Sequence, residues 1–182
     1  MHFNVSIDDI KYDPNSSSLL EELDCIIEYR KSWLSAPYPP TFVTVDAVVI
    51  QDDHILLIRR GRCPGKGLWA LPGGFLDQDE TIEEGVLREL REETQICVSD
   101  QVLRDSIKGS KVFDDPNRSL RGRTISHAFI VALEPGEFPK VDGSDDAMDA
   151  KWFHIDDVRT MEPVLFDDHY SIIMWAITSY NL

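Results

Sequence analysis

Basic residues are scarce in this chain: 18 lysines and arginines stand against 33 aspartates and glutamates in 182 residues, a formal charge of −15. A surface of that sign repels phosphate backbones and anionic bilayers, which argues against nucleic-acid and membrane-surface binding. Cysteine is scarcer still. Cys25, Cys63 and Cys97 are odd in number, far apart and free of any C-x-x-C pair. Neither a zinc site nor a disulfide framework is expected from them, and a reducing compartment suits them. Long apolar runs are missing: a spanning helix needs ~20 such residues, and stretches like Ile172 to Ile177 are far shorter. The N-terminus MHFNVSIDDIKYDP has acids where a secretory signal carries a basic start and an apolar run. The five histidines stand singly and no internal repeat is visible. These absences leave a soluble, cytoplasmic protein, with 42% hydrophobic residues available for a core.

Two regions differ in pattern. In residues 1–40, a polar turn from Asp13 to Ser18 precedes LLEELDCIIEYRKSW, where Leu19, Leu20, Leu23, Ile26, Ile27 and Trp33 recur near helical spacing. Ser18 and Glu21 have the spacing of a capping box. Pro37, Pro39 and Pro40 close this arm as a stiff link. An amphipathic helix of this kind needs a partner surface, either the main domain or another chain.

From residue 41 to 182 strands and helices alternate. FVTVDAVVI, a polar break at Gln51–His54, and ILLIRR read as a β-hairpin. RGRCPGKGLWALPGG has five glycines and two prolines in fifteen residues and reads as loop. Thr81 to about Glu93 reads as a helix, opened by a capping box of Thr81 and Glu84. VLRDSIKGSKVF, TISHAFIVAL and KWFHI read as strands, and Asp168 to Tyr180 as a closing helix. The mixture indicates an α/β (α+β) class rather than a doubly wound parallel sheet.

The chemistry concentrates in residues 73–96, GGFLDQDETIEEGVLRELREETQI. A helix there puts Glu89, Glu92 and Glu93 on one face at i, i+3 and i+4. Like charges so placed repel by ~0.2–0.5 kcal/mol per pair, a cost that any solvated face tolerates. A hard divalent cation would convert the repulsion into binding, since Mg²⁺ takes carboxylate and carbonyl oxygens and shares its shell with phosphates.

Spacing makes the pattern specific. Gly74, five residues, Glu80, seven residues, then Arg88-Glu89-Leu90-x-Glu92-Glu93-x-x-Ile96 resembles the Nudix box of nucleoside diphosphate-linked hydrolases. The single departure is Gln95, where the family carries glycine at a helix end that favours a left-handed conformation. Beyond the box, YPPTFVTVDAVVI, LLIRRGRCPGKGLWALPGGF, NRSLRGRTISHAF and FDDHYSII resemble the pyrophosphatase domain of bifunctional nicotinamide-mononucleotide adenylyltransferase/ADP-ribose pyrophosphatases. The nucleotidyltransferase H-x-G-H motif of their other domain does not occur.

The resemblance implies a Nudix fold, a mixed β-sheet sandwiched between helices, over residues 41–182, with residues 1–40 as an N-terminal helical arm or linker. It implies Mg²⁺-dependent hydrolysis of ADP-ribose to AMP and ribose 5-phosphate, with Mn²⁺ as an alternative metal. Glu89, Glu92, Glu93 and the Gly73 carbonyl are the implied metal ligands, while Arg88 and Glu80 brace the site. A catalytic carboxylate outside the box falls on the loop VDGSDDAMDAKW, which offers Asp145, Asp146 and Asp149.

For the substrate, arginine suits bidentate phosphate contacts. Arg59, Arg60 and Arg62 follow a strand; Arg118, Arg121 and Arg123 cluster in NRSLRGR. Of the second cluster Arg123, against the strand TISHAF, is the first candidate, and Arg118 the one expected to be a plain surface charge. Trp69, Phe75, Phe113 and Trp152 are candidate base platforms, with Trp69 favoured by its place in the glycine-rich loop. Other readings stay open: another nucleotide substrate (NADH, a dinucleotide polyphosphate, an oxidised nucleoside triphosphate), or a non-catalytic ADP-ribose sensor. For a sensor fused to a DNA-binding module, the chain leaves no room after its last helix and has the wrong charge. The expected partner is a small-molecule nucleotide, with a homodimer by family analogy.

Overall fold

The computed structural model describes residues 14–32 and 34–180. The first helix, α1, covers Pro14–Ser32. The strands β1 (Phe42–Gln51), β2 (His54–Arg60), β3 (Trp69–Ala70) and β4 (Gly73–Phe75) follow. Then come α2 (Ile82–Thr94), α3 (Asp100–Asp105), β5 (Ile107–Phe113), β6 (Thr124–Ala132) and β7 (Ala147–His154). The chain closes with α4 (Ile155–Val158), a 3-10 turn (Glu162–Val164) and α5 (His169–Tyr180).

The seven strands make one mixed sheet in the order β3-β2-β1-β6-β5, with β4 on β1 and β7 on β2. Only β1 and β6 run parallel. β1 has neighbours on both edges and helices on both faces, which explains its continuous apolar run in place of alternation. Val45, Ala47 and Val49 pack in one cluster with Val86, Leu87 and Leu90 of α2. Val48 and Ile50 pack in a second with Ile172, Ile173, Ala176 and Ile177 of α5. The period of two along the strand thus assigns each residue to one helical layer. The turn between β1 and β2 closes as expected, with Gln51 opposite His54 and positive φ at both Asp52 and Asp53. Aspartate tolerates that conformation better than most residues.

The helix that carries the acidic motif is capped at both ends. Thr81 Oγ1 accepts from the Glu84 N–H, and the Glu84 carboxylate accepts from the Thr81 N–H. At the other end Gln95 is left-handed, φ 47° and ψ 31°, with its N–H donating to the Arg91 carbonyl. The conformation expected of the missing glycine is therefore adopted by glutamine.

Four expectations are corrected. VLRDSIKGSKVF is not one strand: Ser99 accepts from the Val102 N–H and starts α3, so the strand begins only at Ile107. A side-chain cap outcompetes the β-propensity of two residues. The glycine-rich loop contains the short strands β3 and β4, because the edges of β2 and β1 supply partners. Ser18 lies inside α1, which starts at Pro14, so it does not cap that helix. Finally, Cys25 and Cys63 are joined in a disulfide, their Cα atoms 6.4 Å apart. They stand 38 residues apart in sequence, and only the docking of α1 on the loop after β2 brings them together. Trp33, assigned above to the apolar face of the arm, lies outside the described residues.

Left-handed glutamine carries strain that glycine would not, ~1 kcal/mol, partly offset by the ~0.4–1 kcal/mol that glycine adds to unfolded-chain freedom. Gln95→Gly should therefore raise the melting temperature by up to about 2 °C without changing turnover. Calorimetry decides it, and a lower melting temperature would mean that the glutamine side chain itself holds the helix end.

Candidate active site

The site is built where α2 packs beneath β4. Glu93 lies on the buried face of α2 with Leu90 and Thr94, and is only 4% exposed. Its Oε2 accepts from the Gly73 N–H at 2.8 Å. Burial pushes its pKa up to about 8, against the pull of that N–H. Glu89, one turn earlier, is also raised by burial, with Arg88 opposing. It packs so closely on β4 that a Cβ on Gly74 would stand 2.4 Å from its Oε1. At Gly73 a Cβ would stand 2.1 Å from the Val45 carbonyl. These two positions admit only glycine without displacing strand or carboxylate.

Arg88 organises the acids. It forms a fork onto Glu80, Nε to Oε2 at 2.9 Å and Nη2 to Oε1 at 2.7 Å, and reaches the Phe75 carbonyl. Its Nη1 donates to both Glu89 and Glu92 at 2.9 Å. These hydrogen bonds, that to Glu80 foremost, raise its pKa. Glu92 is half exposed at the rim, outside the cavity that Glu89 and Glu93 line. Among the described residues no three acidic, histidine or cysteine side chains form a ready metal cage. One buried and one partly buried carboxylate with raised pKa values, beside a glycine backbone, are nonetheless a hard-oxygen donor set short of positive charge. A divalent ion of the Mg²⁺ or Mn²⁺ type fits it, with phosphate and water oxygens supplying the rest of a shell.

The acidic loop is stitched to the end of α2: the Asp142 N–H donates to the Thr94 carbonyl and the Ser144 N–H to the Glu93 carbonyl. This brings Asp145, at φ 51°, and Asp146 to the cavity. Asp146 pairs with Arg62 at 2.8 Å. Asp149 is turned away onto Lys151.

The arginines separate. Arg60, Arg62 and Arg121 line the cavity, whose volume is about 450 Å³. The Arg60 guanidinium lies 4.0 Å from the Phe166 ring centroid and donates to the Pro64 carbonyl. Burial, and then Arg121, lower its pKa. Arg121 lies between the Phe75 and Phe166 rings at 5.1 and 5.4 Å. Arg59 is on the exposed side of β2, bonded to the Gly67 carbonyl. Arg123 donates to the Asp114 carbonyl and lines a separate groove with Pro39 and Phe42. Arg118 was expected at the surface. Its side chain is 3% exposed and forked onto Asp168 at 2.9 and 2.6 Å, so it anchors the loop rather than facing solvent.

Of the aromatic candidates, Phe75 lines the cavity. Trp69 packs edge-on against Phe153, Phe113 against Trp175, and Trp152 bonds the Pro139 carbonyl. Tyr29, Pro64 and Phe166 were not among the expected site residues. The first two line the cavity, and Phe166 backs its arginines. FDDHYSII had marked the segment of Phe166, but nothing local in the sequence points Tyr29 to the cavity.

Glu89, Glu93, Arg60 and Arg121 thus line one polar cavity. Residues 40–176 match the NUDIX domain, and the chain belongs to the NUDIX family. It is 40% identical over 131 residues to an ADP-ribose pyrophosphatase of Methanocaldococcus jannaschii, covering 72% of this chain and 70% of that one. Its structure is similar to a bifunctional NMN adenylyltransferase/ADP ribose pyrophosphatase of Francisella tularensis complexed with AMP and a manganese ion. That likeness has a TM-score of 0.89 at 43% identity and covers 92% of this chain and 50% of that one. The chain thus spans about half the length of the Francisella protein. The NUDIX domain of Shewanella oneidensis NrtR, complexed with ADP ribose, is similar at a TM-score of 0.67 and 28% identity, over 85% of this chain and 97% of that one.

The raised pKa of Glu93 sets the sign of a pH effect. Between its ordinary value of 4.5 and about 8, the folded chain retains a proton that the unfolded chain releases. Stability without metal therefore falls as pH rises through this window. Glu93→Gln removes that contribution, so in chelator the variant should melt above the parent at pH 8 and close to it at pH 5. Thermal melts across this range check it; equal melting at pH 8 would remove the buried charge as the cause.

Proposed function

We propose that this NUDIX protein hydrolyses the diphosphate of ADP-ribose to AMP and ribose 5-phosphate with Mg²⁺, Mn²⁺ serving as an alternative. The observation that carries the reading is a single cavity lined by Glu89, Glu93, Arg60 and Arg121 together. The similarity to two ADP-ribose pyrophosphatases supports the choice of substrate.

Glu89, Glu93 and the Gly73 carbonyl would hold the metal, with Glu92 at the rim as a further carboxylate. When bound, the ion supplies charge neutralisation at phosphate oxygens and lowers the pKa of water. Arg60 and Arg121 donate hydrogen bonds to non-bridging oxygens and orient the diphosphate. Asp145 or Asp146 accepts the proton of the attacking water, within an acidic loop that α2 itself positions. The water oxygen bonds to one phosphorus, the bridging bond breaks, and each phosphate leaves as a monoester. Arg88, committed to Glu80, Glu89 and Glu92, holds the carboxylates in place. In this reading the protein is a cytoplasmic enzyme, a homodimer by family analogy, with residues 1–40 as an arm.

A second reading, ADP-ribose sensing without turnover, draws on the likeness to NrtR. The intact Glu89 and Glu93 in the cavity favour turnover, and the charge of −15 opposes contact with DNA.

Incubation with ADP-ribose, with and without Mg²⁺, and product identification by mass spectrometry test the proposal. Metal-dependent AMP and ribose 5-phosphate are expected; bound but intact ADP-ribose would favour the sensor. Loss of one charged hydrogen bond, ~1.5–3 kcal/mol, should make Arg121→Ala about ten- to hundredfold less efficient in kcat/KM. Arg123→Ala should stay within about twofold of the parent. Steady-state kinetics at several Mg²⁺ concentrations separate the two, and equal losses would remove the cavity arginines as the phosphate clamp.

A further inference from the structure

Three contacts of helix α1 with the rest of the chain fall on loops that line the catalytic cavity. Cys25 is bonded to Cys63 in the loop after β2. Glu22 Oε1 accepts from the Gly65 N–H of the same loop at 2.6 Å. Arg30 Nε donates to the Leu120 carbonyl at 2.9 Å, in the loop before β6. The first loop follows Arg60 and contains Arg62; the second contains Arg121. The helix therefore bridges the two arginine-bearing loops from one side of the cavity to the other.

Helical spacing explains the geometry. Glu22, Cys25, Ile26 and Tyr29 follow i, i+3, i+4 and i+7 and form one stripe. All four are partly buried, while Leu19, Leu23 and Ile27 of another stripe are exposed. Tyr29 lines the catalytic cavity and also the adjoining cavity of about 600 Å³ on the far side of Phe75. With Phe75 and Asp77, which also line both cavities, it forms part of the wall between them. Its hydroxyl has no partner among the described residues, leaving ring and hydroxyl available to a ligand.

We infer that α1 is a strap across the active site, that Tyr29 is a specificity-determining residue contacting the base of a nucleoside diphosphate substrate, and that the Cys25–Cys63 bond latches the strap. The substrate part rests on the function proposed above. An aromatic ring beside Phe75, outward from the diphosphate arginines, suits a planar base. The latch opens by two-electron reduction. A dithiol gives two electrons and two protons, the Cys25–Cys63 bond breaks into two thiols, and the dithiol closes to its own disulfide. The hydrogen bonds of Glu22 and Arg30 are exchangeable with water, so the helix then loses its one covalent tie to the loop after β2. Under reducing conditions the strap loosens; under oxidising conditions it completes the cavity.

The test uses the full chain in a Cys97→Ser background, since Cys97 is an exposed free thiol outside the cavity. Hydrogen–deuterium exchange over residues 17–32, with and without dithiothreitol, reads the latch independently of turnover. Faster exchange on reduction is expected, and Cys25→Ser should exchange fast in both conditions. Kinetics on ADP-ribose read the wall. Reduction and Cys25→Ser should each raise KM by about three- to tenfold, the size of one aromatic contact, with kcat little changed. Tyr29→Ala should raise KM similarly in the oxidised enzyme, and Tyr29→Phe should retain most of the affinity. Unchanged exchange on reduction overturns the latch, and an unchanged KM in Tyr29→Ala overturns the wall. If exchange responds but ADP-ribose is not hydrolysed in either state, the latch stands and the substrate reading falls, with the Tyr29 assignment.

Discussion

Glu93 under the backbone of Gly73 is the contact on which the site depends. A carboxylate on the buried face of a helix is costly, and this one is retained with one backbone donor and the distant charge of Arg60. In the reading proposed above, the same burial that raises its pKa would give a bound cation a favourable place, so that stability without metal and affinity for metal would be opposed in one side chain. Everything around it serves that placement. The α2 apolar residues seat the helix on β1, the capping box and left-handed Gln95 set its length, and the glycines of β4 let the carboxylates approach.

The backbone that meets Glu93 is held from below as well. The Leu71 N–H donates to His169 Nδ1, on α5, at 2.9 Å. Asp46, opposite Gly73 in the sheet, accepts from Ser126 of β6. Burial lowers the pKa of His169 and keeps it a neutral acceptor. The segment that carries Gly73 is thus fixed by a helix from the opposite layer of the fold and by neighbouring strands of its own sheet. Rigid support of this kind is what a site needs when its chemistry depends on sub-ångström placement of charge.

Arginine roles divide along the same lines. Where a guanidinium is fully satisfied by a carboxylate fork, as Arg88 on Glu80 and Arg118 on Asp168, it is a brace. Where it lies against an aromatic face, as Arg60 on Phe166, donors remain for a ligand. The scarcity of positive charge in the chain gives such positions weight, because most nearby acids already have a claim on the others.

Much of this was legible in the linear chain. The β-branched apolar run marked β1, the capping box marked α2 and an apolar stretch marked α5, and the spacing from Gly74 through Glu93 put three acids on one helical face, because helix geometry is local. The left-handed position of Gln95 followed from where the motif ends. What the sequence could not order was depth. Glu92 and Glu93 are neighbours, yet one is at the rim and the other under β4, since only packing against the sheet distinguishes them. Arg118, Arg121 and Arg123 look alike in NRSLRGR; the sheet and α5 decide which is buried, which faces the cavity and which lies outside it. Tyr29 and the Cys25–Cys63 pair belong to contacts between segments distant in sequence, where no period or spacing carries information. Local patterns are set by bonds between near residues. The partners of a surface helix are set by the whole shape against which it comes to rest.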